Sequence, residues 1–209
     1  MDGRASAGVR TILERSRELG FLGPGDIERQ LDHALGLAAG VVDEFEGQLL
    51  DLGSGGGVPG IVLLDRWPAC SGVLLDAQRR RCEFLEWAVG ELGWTDRVRV
   101  ECGRAELLAR EARLRARFDL VTARSFGRPA VTAECAVGFL RAGGTLLVSE
   151  PPEAQETVRW DPVALSSLGL GAPRPFRVHE TTGVTMQLSG EPDGRWPRRD
   201  GVPAKRPLW

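Results

Sequence analysis

At 209 residues, with 42% hydrophobic and 27% charged content, the chain is sized for one folded domain with a substantial core, which excludes wholesale disorder. No apolar run reaches the ~20 residues of a membrane span and the start lacks a signal-peptide pattern, so a protein of the cytoplasm with no membrane partner is expected. The net charge of −2 excludes a body that is basic throughout. Cys70, Cys82, Cys102 and Cys135 lack Cys-x-x-Cys spacing, so they are expected as small buried residues, with neither a disulfide framework nor a metal.

Apolar periodicity predicts helices over residues ~5–19 and ~27–46, the second capped by Asp26, with a Gly-Pro-Gly turn between them. Gln48 to Gly53 then reads as a short buried strand, and Pro59 suits the first turn of the helix that follows. Strands are predicted at Gly72–Asp76, Arg97–Glu101, Phe118–Thr122 and Gly144–Ser149. Helices over ~79–93, ~104–115 and ~130–140 separate them. A further helix is expected over ~153–167, then strands at ~174–180 and ~183–189, joined by a tight turn at Thr182-Gly183. This alternation predicts an α/β fold: a mostly parallel, Rossmann-like sheet with one late antiparallel strand, helices on both faces and an N-terminal helical cap. The divisions are 1–46 for the cap, 47–190 for the core and 191–209 for a C-terminal tail. In the last fifteen residues, Arg195, Arg198, Arg199, Lys205 and Arg206 face a single carboxylate, Asp200, a local charge that either contacts phosphate or is simply solvated.

The segment Leu50 to Gly60 places glycines between a strand and a helix, where the backbone turns tightly and a ligand can lie against it. No lysine follows, which rejects a Walker loop. Val58 stands where the dinucleotide fingerprint needs its third glycine. What remains is Asp51 followed by Gly53, Gly55 and Gly57, a pattern that resembles the first motif of class I methyltransferases. Asp76 ends the second strand 25 residues after Asp51, where a carboxylate can accept from both hydroxyls of a ribose.

Together with Asp76–Leu85, Gly103–Glu106, Phe118–Phe126 and Trp196–Leu208, the loop resembles the 16S ribosomal RNA guanine-N7 methyltransferases, also called glucose-inhibited division protein B. The resemblance implies S-adenosyl-L-methionine as cofactor and 16S ribosomal RNA or the small ribosomal subunit as partner; a monomer is expected, although the sequence itself does not give the oligomeric state. It implies that Gly53 and Val58 line the cofactor pocket, that Ala105 and Glu106 lie near the adenine, and that Arg124 sits beside the reacting groups, as the catalytic residue and as part of the cofactor site. Arg198, Arg199, Lys205 and Arg206 would bind RNA, and Phe126 and Trp196 are candidates for stacking on a base. Two segments depart from the family: Gln30-Leu-Asp-His33 keeps only the histidine of a Trp-x-Arg-His-like run, and Ser149-Glu150 replaces Lys-Gly. A methyltransferase acting on a small molecule, and a noncatalytic cofactor-binding protein associated with the ribosome, are the alternative readings.

Overall fold

The computed structural model describes residues 5–23, 25–41, 44–152 and 159–209. Two helices come first, α1 (Ala7–Glu18) and α2 (Ile27–Ala39). The Ser6 hydroxyl caps α1 by accepting the Val9 N–H, and Asp26 caps α2 through the Glu28 N–H, as serine and aspartate do at exposed helix starts. Strand and helix then alternate through β1 (Gln48–Leu52), α3 (Gly60–Arg66), β2 (Ser71–Asp76), α4 (Arg79–Glu91), β3 (Val98–Cys102), α5 (Ala105–Leu108), β4 (Phe118–Ala123), α6 (Pro129–Val137) and β5 (Leu140–Glu150). The described chain closes with α7 (Pro162–Ser167), β6 (Arg174–Val178), β7 (Thr181–Gln187) and α8 (Val202–Lys205).

These seven strands form one sheet in the order β3-β2-β1-β4-β5-β7-β6. Neighbours from β3 through β5 pair in parallel, while β7 runs antiparallel to both β5 and β6. The sheet is covered on both faces because its central strands are apolar on both sides. Leu50, Leu52, Val73, Leu75, Val121 and Ala123 pack with α5, α6 and α7 on one face. Leu49, Leu74, Leu120 and Leu147 point the other way, into a core shared with α1 to α4. The cap is thus part of the main body, and no described helix is long and apolar enough to cross a membrane.

Local differences from the sequence expectations have physical causes. The second helix stops at Ala39, because Gly40 takes the C-cap position and lies under the Phe176 ring; a Cβ there would fall 2.2 Å from the ring. Residues 42 and 43 of the expected helix, and 153–158 of the later one, lie outside the described residues. Instead of reaching ~115, the fifth helix ends at Leu108. Beyond it the Arg115 guanidinium donates to the carbonyls of Pro192 (2.8 Å), Asp193 (3.0 Å) and Trp196 (3.0 Å), which binds this segment to the end of the chain. The hairpin turns at His179-Glu180, with Val178 paired to Thr181, and not at Thr182-Gly183. Gly183 lies within β7 because Phe176 packs where its Cβ would be, at 2.4 Å. Cys70, Cys82 and Cys135 are buried, but Cys102, at the end of β3, is exposed.

Residues 191–209 wrap around α5 and α6. Glu134, fully buried on α6, accepts from the Arg198 backbone N–H (2.9 Å), Nε (2.8 Å) and terminal nitrogen (2.6 Å). Trp196 is buried, with its indole N–H on the Ser167 carbonyl. Arg198 is therefore spent on an internal carboxylate, whereas Arg199, Lys205 and Arg206 are exposed. Removing one partner of such a pair strands the other charge. In thermal denaturation Arg198→Ala is expected to lose roughly 3 kcal/mol, and Arg199→Ala to stay within about 0.5 kcal/mol of wild type.

Candidate active site

Parallel register brings the sequence-predicted residues to one edge of the sheet. Leu52 pairs with Leu75 on one side and with Ala123 on the other, so Gly53, Asp76 and Arg124 leave adjoining strands side by side. Asp76 in turn pairs with Cys102, which puts the Gly103–Glu106 segment next along the edge. The order reverses between β1 and β4, and in open α/β sheets the crevice outside such a switch point is where ligands bind.

The glycine loop folds back over the end of β2. Both Gly53 and Ser54 N–H donate to the Leu75 carbonyl at 2.8 Å, and Gly55 N–H donates to Asp76 Oδ2 at 2.9 Å. Gly53, Gly55 and Gly57 have φ of 74°, 54° and 95°, a left-handed region in which a side chain is strained. From the cap, the buried Ser16 hydroxyl donates to the Gly56 carbonyl at 2.9 Å, anchoring the loop from its other side. Val58 is buried below it in the core shared with the cap.

Two carboxylates face this loop. Asp76 Oδ1 accepts the Gln78 N–H at 2.8 Å, and Arg81 stands 3.6 Å from Oδ2. Each oxygen keeps a lone pair for a ligand hydroxyl. Asp51 Oδ2 accepts the Gly60 N–H at 3.1 Å, a contact that requires glycine, since a Cβ at 60 would fall 2.4 Å from that oxygen. Asp51 Oδ1 is buried without a hydrogen-bond partner among the described residues. Burial pushes the Asp51 carboxyl up to about 7, with the Ser54 hydroxyl, the Gly60 N–H and the charge of Arg124 opposing the rise and Asp76 adding to it. A ligand that brings a diol to Asp76 and a cation to Asp51 fits both. Ala105 and Glu106 are buried at the start of α5, where Glu106 accepts from Arg104 (3.0 Å) and from the Gly201 N–H (3.1 Å).

Beyond β4 and β5 lies an open cleft of about 1240 Å³, roofed by α2 and the β6–β7 hairpin and lined by Arg124, Phe126, Gln30, His33 and Ser149. The two α2 residues, three apart, lie on one helix face and both reach it. Gln30 Oε1 accepts from the Arg124 guanidinium at 2.6 Å, and His33 Nε2 shares a hydrogen bond with Ser149 Oγ at 2.8 Å. Burial, followed by the charge of Arg124, lowers the His33 pKa below its ordinary value, so the ring is neutral near pH 7. Gln30 and Ser149 carry no role in the sequence expectations, and their signals were the three-residue spacing to His33 and the place at a strand end. Glu150, which stands where a lysine-glycine pair was expected, is buried and neutralised from within: Trp160 Nε1 donates to it at 3.2 Å and Arg159 Nε lies 3.1 Å away.

The chain is similar to known proteins in sequence and in fold. A family model described as GidB, rRNA small subunit methyltransferase G, matches residues 10–168. Ribosomal RNA small subunit methyltransferase G of Rubrobacter xylanophilus is 36% identical over 190 residues, covering 85% of this chain and 72% of that protein. The protein of the same name from Symbiobacterium thermophilum is 34% identical over 212 residues, covering 96% of this chain and 86% of its own length. Among solved structures, cofactor-bound Rv0187 from MTB has a TM-score of 0.61 at 19% identity, with 89% of this chain and 91% of that one aligned. The T. thermophilus 16S rRNA N2 G1207 methyltransferase, in complex with AdoMet and guanosine, has a TM-score of 0.54 at 18% identity over 80% of this chain and 41% of that chain. These two share the fold. By the family match and the identity to its relatives, the chain belongs to the rRNA small subunit methyltransferase G family.

Proposed function

We propose that the protein transfers a methyl group from S-adenosyl-L-methionine to N7 of a guanine in 16S ribosomal RNA, in the cytoplasm. The observation that carries this reading is the side-by-side exit of Gly53, Asp76 and Arg124 from adjoining strands, with a cleft large enough for a nucleotide on the Arg124 side. When bound, S-adenosylmethionine supplies a methyl on a positively charged sulfur, an electrophile that needs no further activation. Asp76 holds the ribose hydroxyls, and Asp51 Oδ1 receives the ammonium of the methionine part. Gly53, Gly55, Gly57 and Val58 shape the loop against it, and Ala105 and Glu106 flank the adenine.

Guanine N7 carries an exposed lone pair and no proton, so no general base is required. The protein's share of catalysis is alignment and exclusion of water. Arg124, held by Gln30, orients the base or a neighbouring phosphate through its remaining guanidinium donors. The exposed Arg199, Lys205 and Arg206 bind the RNA backbone, whereas Arg198 supports them from within. Labelled methyl transfer to intact small subunits, naked ribosomal RNA and a metabolite pool, followed by base mapping, tests the whole reading. Label appearing only in a metabolite would overturn it.

Three narrower outcomes follow from the site. Arg124→Ala is expected to abolish transfer while calorimetry finds cofactor affinity retained; wild-type turnover in that variant would remove Arg124 from the mechanism. Cofactor binding favours the ionised form of Asp51, whose carboxyl sits at about 7, so binding releases a proton. Affinity should therefore rise as pH increases from about 5.5 to 7, and Asp51→Asn, which cannot titrate, should flatten that rise. Replacing Arg199, Lys205 and Arg206 together by glutamine should lower the magnitude of the log-affinity against log-salt slope for RNA by roughly 2–3, with an unchanged slope counting against these contacts.

A further inference from the structure

Two residues past Arg124, Phe126 sits at the junction of the glycine loop and the cleft. Its ring packs on Gly53 so closely that a Cβ at 53 would fall 2.6 Å from Cδ2, yet the side chain is only partly buried and lines the cleft. Between the two, Ser125 has a φ of 54°, an uncommon left-handed conformation for serine that such sites retain when the surroundings enforce it. Two other candidate rings, Trp160 in the cleft and Trp196 in the tail, are committed elsewhere. Trp160 also lines the cleft but is 1% exposed, with its N–H on Glu150. Trp196 is 8% exposed, bonded to Ser167 and flanked by the guanidinium groups of Arg195 and Arg198.

We propose that the Phe126 ring is the platform on which the target purine stacks, with one face of the base on the ring and its edge turned to Arg124; this rests on the RNA-methylation reading above. A base drawn out of an RNA stack loses its neighbours, and an aromatic face returns part of that contact without regard to the rest of the sequence. The ring's position against Gly53 fixes the plane of the base relative to the loop, which is what in-line transfer to a ring nitrogen needs. Gly53 then has two reasons to lack a side chain: its positive φ and the ring above it.

Wild type, Phe126→Leu and Phe126→Tyr are compared in three measurements: cofactor affinity by calorimetry, KM for small-subunit ribosomal RNA, and the chemical shift of H8 in guanosine 5′-monophosphate added to the protein. Leucine keeps apolar bulk over Gly53 but removes the π-face. It should raise KM about tenfold or more with cofactor affinity unchanged, while tyrosine keeps KM near wild type. Ring current should move H8 upfield with wild type and Phe126→Tyr, and not with Phe126→Leu. An unchanged KM and H8 shift in Phe126→Leu would overturn the proposal. A fall in cofactor affinity matching the rise in KM would also overturn it, since the ring would then serve the loop alone. If wild type moves H8 but methylates no ribosomal RNA, the proposed function falls and the stacking platform stands.

Discussion

The amide of Gly55 donates to a carboxylate on the neighbouring strand, and that contact with Asp76 ties the glycine loop to the sheet. It forms because Leu52 and Leu75 are register partners, so the loop leaving β1 begins where β2 ends. Three left-handed glycines let the backbone fold over the strand end, and Ser16 holds the far side of the fold from the cap. Shifting the register by one residue would turn Asp76 to the opposite face and take the acceptor away. Every role assigned to the loop depends on that alignment, and so does the separation between the loop and Arg124 just past β4.

The two segments that depart from the family pattern meet each other across the cleft. Gln30 and His33 come down from α2, and Arg124 and Ser149 come up from β4 and β5. Small residues make this approach possible: Gly36 lies against Thr181, with 2.4 Å to a Cβ placed there, and Gly40 against Phe176. The helix therefore sits low over the hairpin and can reach the strand ends. The end of β5, where the resemblance led to the expectation of a cation, does not carry a bare negative charge, because Arg159 and Trp160 take up the carboxylate of Glu150. A neutral polar contact, His33 with Ser149, occupies the position beside it.

The sheet, its order of strand and helix, and the glycine loop were legible in the sequence because each rests on local chemistry. The apolar runs of β1 and β2 end in glycine and aspartate, and Pro59 and Asp26 mark helix starts. What was not legible depended on contacts between distant segments. The hairpin turn was placed three residues late because Gly183 looks like a turn residue, whereas its lack of a side chain serves the Phe176 ring. The short α5 could not be seen in a helix-favouring stretch whose arginine is recruited by carbonyls some eighty residues away. Charge counting marked the tail as basic but gave no sign that Arg198 faces inward, since Glu134 lies sixty-four residues earlier in the chain. Likewise the pairing of Gln30 with Arg124 spans two elements that no periodicity connects.

The clasp between Arg198 and Glu134 bears on how the protein would meet the large polyanion of the proposed function. Arg199 follows it directly, and Lys205 and Arg206 lie on or just after a short helix that folds back so that Arg198 can also donate to the Arg206 carbonyl at 2.8 Å. These cations are thus mounted on a braced arm and not on a loose string. A loose basic segment gives up conformational freedom when it settles on a phosphate backbone, and that loss subtracts from the attraction. Here most of the ordering has already occurred during folding, so on the RNA reading proposed above the arm would work as a fixed gauge, matching RNA of one shape and leaving other polyanions only partly engaged.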